Sequence, residues 1–124
     1  MPGMLLKNGA LLGPIGTQGG DGQAQVQLQL ITNLVDYGMN PQAAIEAPRW
    51  ISGGPTPDSG NLLTLENRFT PQLETDLVKR GHEVAWTAPF DPKFGHAQMI
   101  LIDEASGALV GGADPRADGV ALGY

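Results

Sequence analysis

The most informative part of the sequence is residues 16–37, GTQGGDGQAQVQLQLITNLVDY. A glycine-rich loop at residues 16–22 is followed by fifteen residues without glycine or proline. These fifteen residues carry an alternating apolar pattern typical of a strand, at Ala24, Val26, Leu28 and Leu30. They also carry a helical stripe, at Ala24, Leu28, Ile31 and Val35. The length, the few β-branched residues and the stop at Gly38 favour a helix over residues 23–37.

Turn and cap signals place the elements on either side of this segment. Asn8-Gly9 supplies the positive φ angles of a two-residue type I′ turn, so residues 4–15 are predicted to form a β-hairpin. Pro14 has no N–H, which indicates that the second strand is an edge strand or is interrupted there. Asn40 followed by Pro41 predicts the capped start of a short helix that runs to Ala47.

The remaining sequence predicts short, irregularly alternating elements. Strands are expected at residues 49–52, 62–66, 83–87, 97–102 and 108–112, with a helix over 71–80 and a loop over 53–60. The last two strands are expected to form a second hairpin. Such a pattern is typical of an α+β layered fold rather than a doubly wound parallel sheet. No internal repeat or linker divides the chain, so residues 1–124 are predicted to form a single domain.

Composition narrows the classes of function. The 124 residues carry 13 acidic and 7 basic side chains, a net charge of −6, and the bases are scattered, which argues against nucleic-acid binding. There is no cysteine, which excludes disulfides, thiolate metal sites and a cysteine nucleophile. No apolar run approaches the length of a membrane span, and the first residues do not resemble a secretory signal. The sequence is compatible with the cytoplasm and, for a full-length protein, with the periplasm.

The strongest candidate for chemistry is the backbone at Gly19 and Gly20. A glycine loop between a strand and a helix presents unpaired N–H groups at the positive end of the helix, which can bind a phosphate or an oxyanion. No Gly-Lys-Ser/Thr follows, and the glycine spacing is not a dinucleotide fingerprint. A plain strand-to-helix turn is therefore the alternative.

Other candidate residues favour structural roles. His82 and His96 have no metal-ligand spacing around them, so a surface or structural role is expected for both and no metal site is predicted. Arg49 and Arg116 can bind a ligand, but such arginines more often hold a loop through hydrogen bonds to carboxylates or carbonyls. The two tryptophans are expected to pack in or near the core. No activated nucleophile can be nominated.

Several segments, in one order, resemble the C-terminal part of the small subunit of the γ-glutamyltranspeptidase family. The resemblance extends over essentially the whole chain, and its order and spacing are specific. The sequence is therefore identified as a member of that family. The similar segments are residues 6–9 (LKNG), 16–23 (GTQGGDGQ), 36–40 (DYGMN), 46–49 (EAPR), 80–84 (RGHEV), 97–98 (AQ), 113–116 (ADPR) and 123–124 (GY).

The resemblance implies an N-terminal-nucleophile hydrolase with an αββα sandwich, in which a precursor cleaves itself and exposes a catalytic threonine. The family's paired oxyanion-binding glycines match Gly19 and Gly20. Thr17-Gln18 stands where many transpeptidases have Ser-Pro, and the Gly-Gly-Asp-Gly-Gln form resembles the amidohydrolase branch. The implied reaction is cleavage of γ-glutamyl or related amides through an acyl-enzyme, without a cofactor.

The resemblance also implies that the nucleophile and the substrate-anchoring residues lie upstream of Met1. We therefore expect a C-terminal fragment that is inactive alone and whose partner is the upstream part of the same enzyme. The alternative is a non-catalytic, stand-alone binding or interaction module derived from the family. Both hypotheses predict self-association, because a chain that begins inside a sandwich exposes apolar sheet surface. Neither predicts binding to nucleic acid or membrane.

Overall fold

The computed structural model describes residues 2–53 and 60–123. Short 3₁₀ turns at Gly20–Gly22 and Pro92–Phe94 accompany the regular elements. In chain order these elements are β1 (Pro2–Lys7), β2 (Ala10–Gln18), α1 (Gln23–Val35), α2 (Pro41–Glu46), β3 (Trp50–Ser52), β4 (Leu62–Glu66), α3 (Pro71–Lys79), β5 (Glu83–Thr87), β6 (His96–Ile102) and β7 (Leu109–Ala113). Most of the loop predicted at 53–60 lies outside the described residues. No helix in the described ranges is long and apolar enough to cross a membrane.

The larger sheet is antiparallel, with the strand order β1-β2-β6-β7. Asn8 and Gly9 have φ values of 52° and 83°, so the predicted hairpin turn is confirmed. Strand β2 is internal to this sheet and continues through Pro14, but at Pro14 it pairs with β1 alone, so the predicted interruption is confirmed on the side that faces β6. The ladder between β2 and β6 starts at Ile15, one residue later, so the missing N–H of Pro14 removes no bond from it.

The smaller sheet has the order β3-β4-β5. Strands β3 and β4 are antiparallel, whereas β4 and β5 are parallel and are connected through α3. The predicted bounds of β4 and β5 agree with the structure. Two sheets with separate helices make this an α+β fold, as the sequence predicts.

The helices differ slightly from their predicted bounds. Helix α1 ends at Val35 rather than Tyr37, because the N–H groups of Asp36 and Tyr37 both donate to the Thr32 carbonyl. Gly38, with φ of 63°, then takes the chain out of the helix. Helix α2 begins at the predicted cap, where the Asn40 side chain accepts a hydrogen bond from the Ala43 N–H at 2.8 Å.

The two faces of the larger sheet differ in their surroundings. One face packs against α1 and α2 and forms the main core, made of Ile15, Val26, Leu30, Ile45, Ala97 and Met99. The opposite face lines an open groove together with residues 120–123. Large apolar side chains are exposed along this groove: Met4, Ile100, Leu109, Val120 and Leu122. This groove face is the apolar sheet surface that the sequence predicts.

Glutamine side chains from α1 bind the outer edge of β3. The amide of Gln29 donates to the Trp50 carbonyl at 2.8 Å and accepts from the Trp50 N–H at 3.1 Å. One turn earlier, Gln25 makes the same pair of bonds with Ser52, at 2.9 and 2.7 Å. These bonds join α1 to the smaller sheet and so fix the helix between the two sheets.

Candidate active-site loop

The glycine loop lies between the end of β2 and the start of α1. Gly19 has φ of 159° and ψ of 27°, and Gly20 has φ of 53°. The Gly19 carbonyl accepts from the Gly22 N–H at 3.1 Å, and the Gly20 carbonyl accepts from the Gln23 N–H. In the turns and loops of residues 2–53 and 60–123, neither the Gly19 nor the Gly20 N–H donates to another backbone group.

The surroundings of the two glycines are different. A Cβ atom on Gly20 would have no heavy atom within 4 Å, whereas one on Gly19 would lie 3.0 Å from the Cα of Gly95. Gly20 therefore faces open space, and Gly19 lies directly against the turn before β6. Among the described residues no side-chain hydrogen bond caps the start of α1, but Gly22 itself is buried against Ile51, so the exposed part of this helix start is the loop at Gly20.

Behind the loop lies a buried charge cluster, which we define as Arg49, Glu66, Asp114 and Arg116. The Arg49 Nη2 donates to the Asp114 Oδ2 at 2.6 Å, and the Arg116 Nε and Nη2 donate to the two carboxylate oxygens of Glu66. The Arg116 Nη1 also donates to the Asp114 Oδ1 at 3.1 Å. The two cations and two anions of these four residues balance, which is the condition under which buried charges are tolerated, and the partly exposed Arg68 lies 3.6 Å from the Glu66 Oε2.

Backbone carbonyls accept further hydrogen bonds from both arginines, and among the described residues only the buried Nε of Arg49 is left without a partner in this cluster. Arg116 donates to the carbonyls of Ile45 and Ala47, and Arg49 also donates to that of Ile45. The structural role that the sequence favours for Arg49 and Arg116 is thus confirmed. Burial lowers the pKa of Arg49, as does the charge of Arg116, while Asp114 beside it acts in the opposite direction.

Arg49 also joins the cluster to the turn that contacts the glycine loop. Its Nη1 donates to the carbonyls of Phe94 and Gly95 at 2.9 and 3.0 Å. A Cβ atom on Gly95 would lie 2.2 Å from the carbonyl oxygen of Gln18, so the two backbones are in direct contact. The cluster, the turn and the glycine loop therefore form one continuous packed unit.

The histidines and tryptophans do not form a group of catalytic side chains. His96 is the first residue of β6 rather than a loop residue, because it pairs with Gln18, and its buried Nε2 has no hydrogen-bond partner among the described residues. His82 is half-buried after the end of α3. The Trp86 Nε1 donates to Glu74 at 2.9 Å and so packs α3 on β5. Among the described residues, no three histidine, aspartate or glutamate side chains lie close enough together to hold a metal ion.

The structure brings together residues that the sequence treats separately. Arg49 and Asp114-Pro115-Arg116 are singled out as motifs, but nothing in the sequence indicates that they meet. Glu66 is missed entirely, because a glutamate at the end of a strand normally faces solvent. Gly95 is likewise missed as a contact of Gly19.

Solved structures of known proteins share this fold. A cephalosporin acylase from Bacillus halodurans superposes with a TM-score of 0.86 at 37% sequence identity, covering 99% of this chain and 22% of that one. A γ-glutamyltranspeptidase from Pseudomonas nitroreducens superposes with a TM-score of 0.81 over 100% of this chain and 61% of that one; at 21% identity it supports the fold alone. The fold is that of the N-terminal-nucleophile hydrolases.

The family follows from the sequence comparisons. The family model described as gamma-glutamyltranspeptidase matches residues 1–124, and the chain belongs to that family. It is 46% identical over 123 residues to a glutathione hydrolase-like YwrD proenzyme from Bacillus subtilis. It is 40% identical over 109 residues to an oxamate amidohydrolase proenzyme from Klebsiella pneumoniae. The chain spans 23% and 20% of the lengths of these two relatives.

Proposed function

We propose that this chain supplies the oxyanion-stabilising loop of an amidohydrolase whose nucleophile comes from sequence outside these 124 residues. In this proposal Gly19 and Gly20 donate their backbone N–H groups to the oxygen of the tetrahedral intermediate. The observation that carries it is the loop geometry: within residues 2–53 and 60–123 neither N–H group has a backbone acceptor, and both precede α1 by one 3₁₀ turn. The open space in front of Gly20 gives a substrate carbonyl room to approach.

The proposed reaction is hydrolysis or transfer of an acyl group from an amide. A nucleophile, which the family resemblance assigns to an N-terminal threonine, attacks the carbonyl carbon, and negative charge develops on the carbonyl oxygen. Two N–H groups at a helix N-terminus stabilise that charge without reorganisation, since their positions are fixed by the fold. The tetrahedral intermediate then collapses: the C–N bond breaks, and the amine leaves with the proton that the nucleophile's hydroxyl gave up. The acyl group on the nucleophile passes next to water or to an acceptor amine. This chain's part in the reaction requires no titrating side chain and no cofactor.

The names of the relatives support an amide substrate. Two matched proteins are named as an oxamate amidohydrolase and as glutathione hydrolase-like, and a third, from Escherichia coli, as a glutathione hydrolase at 31% identity. The Gly-Gly-Asp-Gly-Gln form of the loop resembles the amidohydrolase branch. We therefore propose γ-glutamyl or related small amides as the substrate class.

The proposed partner is the remaining part of the same enzyme, which would cover the groove face. This face exposes Met4, Leu109 and Leu122 by 67%, 70% and 86%, and large apolar side chains gathered on one face mark a surface that another chain covers. The same face favours the second candidate function, a stand-alone interaction module. Co-expression with the upstream segment separates the two, because only the enzyme hypothesis predicts turnover in the assembled product.

The test of the loop is Gly20→Ala in the complete enzyme. The new Cβ meets no protein atom within 4 Å, so the fold tolerates it apart from the strain of a positive φ, about 1 kcal/mol. The methyl group would instead occupy the space of the substrate carbonyl. We expect kcat to fall roughly 10²–10³-fold, as when one oxyanion donor is lost.

Gly38→Ala is the matched control. Gly38 has φ of 63°, lies past the other end of α1, and likewise has nothing within 4 Å of its Cβ position. It therefore imposes the same backbone strain far from the proposed site. Equal turnover in Gly20→Ala and Gly38→Ala would show that the loop is only a turn.

A further inference from the structure

We infer that Arg49 is a positioning residue for the glycine loop: from within the buried charge cluster it holds Gly95 against Gln18 and Gly19. This inference rests on the proposed function, since it concerns the same loop. Arg49 does not face the open space in front of Gly20, and its side chain is 2% exposed. Its effect on the reaction is therefore indirect, through the backbone of the turn before β6.

The first step is the geometry of the guanidinium. One nitrogen, Nη1, donates to two successive carbonyls, Phe94 and Gly95, and the other, Nη2, donates to Asp114 and Ile45. A guanidinium is planar and donates in fixed directions, so the position of the turn is set relative to the Asp114 carboxylate. A lysine ammonium has donors enough for the two carbonyls, but it lacks the second nitrogen that holds Asp114 and Ile45 in the same rigid plane.

The second step is the anchor that Arg49 shares with β6. The Asp114 Oδ2 accepts from the Arg49 Nη2 at 2.6 Å and from the Ala97 N–H at 2.7 Å. Asp114 thus fixes the backbone two residues after Gly95, while Arg49 fixes the carbonyl of Gly95 itself. The turn is held from both sides by one buried carboxylate.

The third step is the contact between the two glycines. A Cβ on Gly95 would lie 2.2 Å from the Gln18 oxygen and 3.0 Å from the Thr17 Oγ1, and one on Gly19 would lie 3.0 Å from the Gly95 Cα. For both Cβ positions the nearest heavy atom belongs to the facing backbone. Close-packed backbone transmits a displacement rather than absorbing it, so a shift of Gly95 moves Gly19 and the N–H groups that follow.

The expected effect follows from how sensitive such donors are to position. A misplacement of about 1 Å at a reacting centre costs on the order of 10²-fold in rate. Arg49→Lys keeps the positive charge but replaces the fork with one ammonium group on a flexible stem. In the complete enzyme we expect kcat to fall about 10- to 100-fold while KM changes little. In the ¹⁵N-labelled 124-residue chain we expect shifted or broadened amide signals for Gly19, Gly20 and Gly95.

Two further variants keep the inference open to contradiction. Gly95→Ala disturbs the same contact from the other side while leaving all four side chains of the cluster in place, and it is expected to reproduce the amide shifts even where Arg49→Lys does not fold. Arg116→Lys is the matched control, because Arg116 lies in the same cluster, equally deep, but makes no bond to the turn. It should lower the melting temperature to a similar extent while moving the Gly19 and Gly20 signals much less.

The outcomes separate this inference from the proposed function. Unchanged Gly19 and Gly20 signals in folded Arg49→Lys or Gly95→Ala would overturn the inference, and so would equal shifts in Arg116→Lys. Amide shifts specific to Arg49→Lys and Gly95→Ala would support it. If those shifts appear while Gly20→Ala turns over normally, the positioning stands and the proposed oxyanion role fails.

Discussion

The Asp114→Asn substitution replaces one carboxylate oxygen of the buried charge cluster by an NH₂ group, and we expect a large loss of stability. Oδ1 accepts from the N–H and the Nη1 of Arg116, and Oδ2 accepts from Arg49 and from the Ala97 N–H. Two donors therefore face each oxygen. Whichever way the amide is turned, its NH₂ group meets two donors and both of those bonds are lost.

The magnitude follows from the charge as well as the bonds. The substitution leaves two arginines with one carboxylate in a site where Asp114 is 1% exposed, so one positive charge is no longer compensated. Breaking a buried pair in this way costs about 3–5 kcal/mol. For 124 residues the unfolding entropy is about 0.26 kcal/mol per kelvin. The melting temperature should therefore fall by roughly 12–20 °C.

Thermal unfolding followed by circular dichroism measures this directly. Asp118→Asn is the control, because Asp118 is an exposed carboxylate four residues further along the chain, and its melting temperature should stay close to that of the unmodified protein. If Asp114→Asn unfolded within about 3 °C of that control, the cluster would contribute no more than a surface ion pair, of about 0–1 kcal/mol, and the reasoning would be wrong.

Three further predictions concern the surface, assembly and activity. Hydrogen bonds from the Ser106 Oγ and N–H lower the pKa of Asp103, so these bonds stabilise the turn above the ordinary aspartate pKa and are lost as the pH falls through the lowered value. Ser106→Ala should move the Asp103 pKa back upward in a ¹³C NMR titration, and an unmoved pKa would contradict this cause. The purified chain should form dimers or larger species through the groove face; a light-scattering mass of one chain at micromolar concentration would refute this. The purified chain should hydrolyse no γ-glutamyl anilide, since it offers no activated nucleophile, and persistent turnover free of host enzyme would count against the proposal.

Local chemistry made much of the fold predictable. Asn8-Gly9 and Asn40-Pro41 act within a few residues of themselves, so the turn and the cap appear in the structure where the sequence places them. The strand-like alternation in α1 also has a physical explanation. Gln25 and Gln29 interrupt its apolar residues because their amides bind β3 and so need to face the protein.

Long-range contacts were not predictable in the same way. Arg49 and Asp114 are 65 residues apart in the sequence, and Glu66 and Arg116 are 50 residues apart. No local sequence pattern therefore indicates that the members of either pair bind each other. The contact between Gly19 and Gly95 depends on the pairing of β2 with β6, which the sequence does not specify. The pairing of β2 with β6 after Pro14 is likewise a long-range contact, because a proline indicates only where its own N–H is missing.

The glutamine amides on α1 have a consequence for aggregation. An edge strand presents free N–H and C=O groups that can template a foreign strand, and β3 is such an edge. The backbone N–H and C=O of Trp50 already bind the side-chain amide of Gln29, and those of Ser52 bind the amide of Gln25. Each amide thus makes the two hydrogen bonds that an incoming strand would make. Deamidation of either glutamine would set a carboxylate against a carbonyl oxygen and release that edge. At Trp50 and Ser52 the edge of β3 is therefore occupied by two amide groups of a helix, and this occupation opposes amyloid-like pairing there.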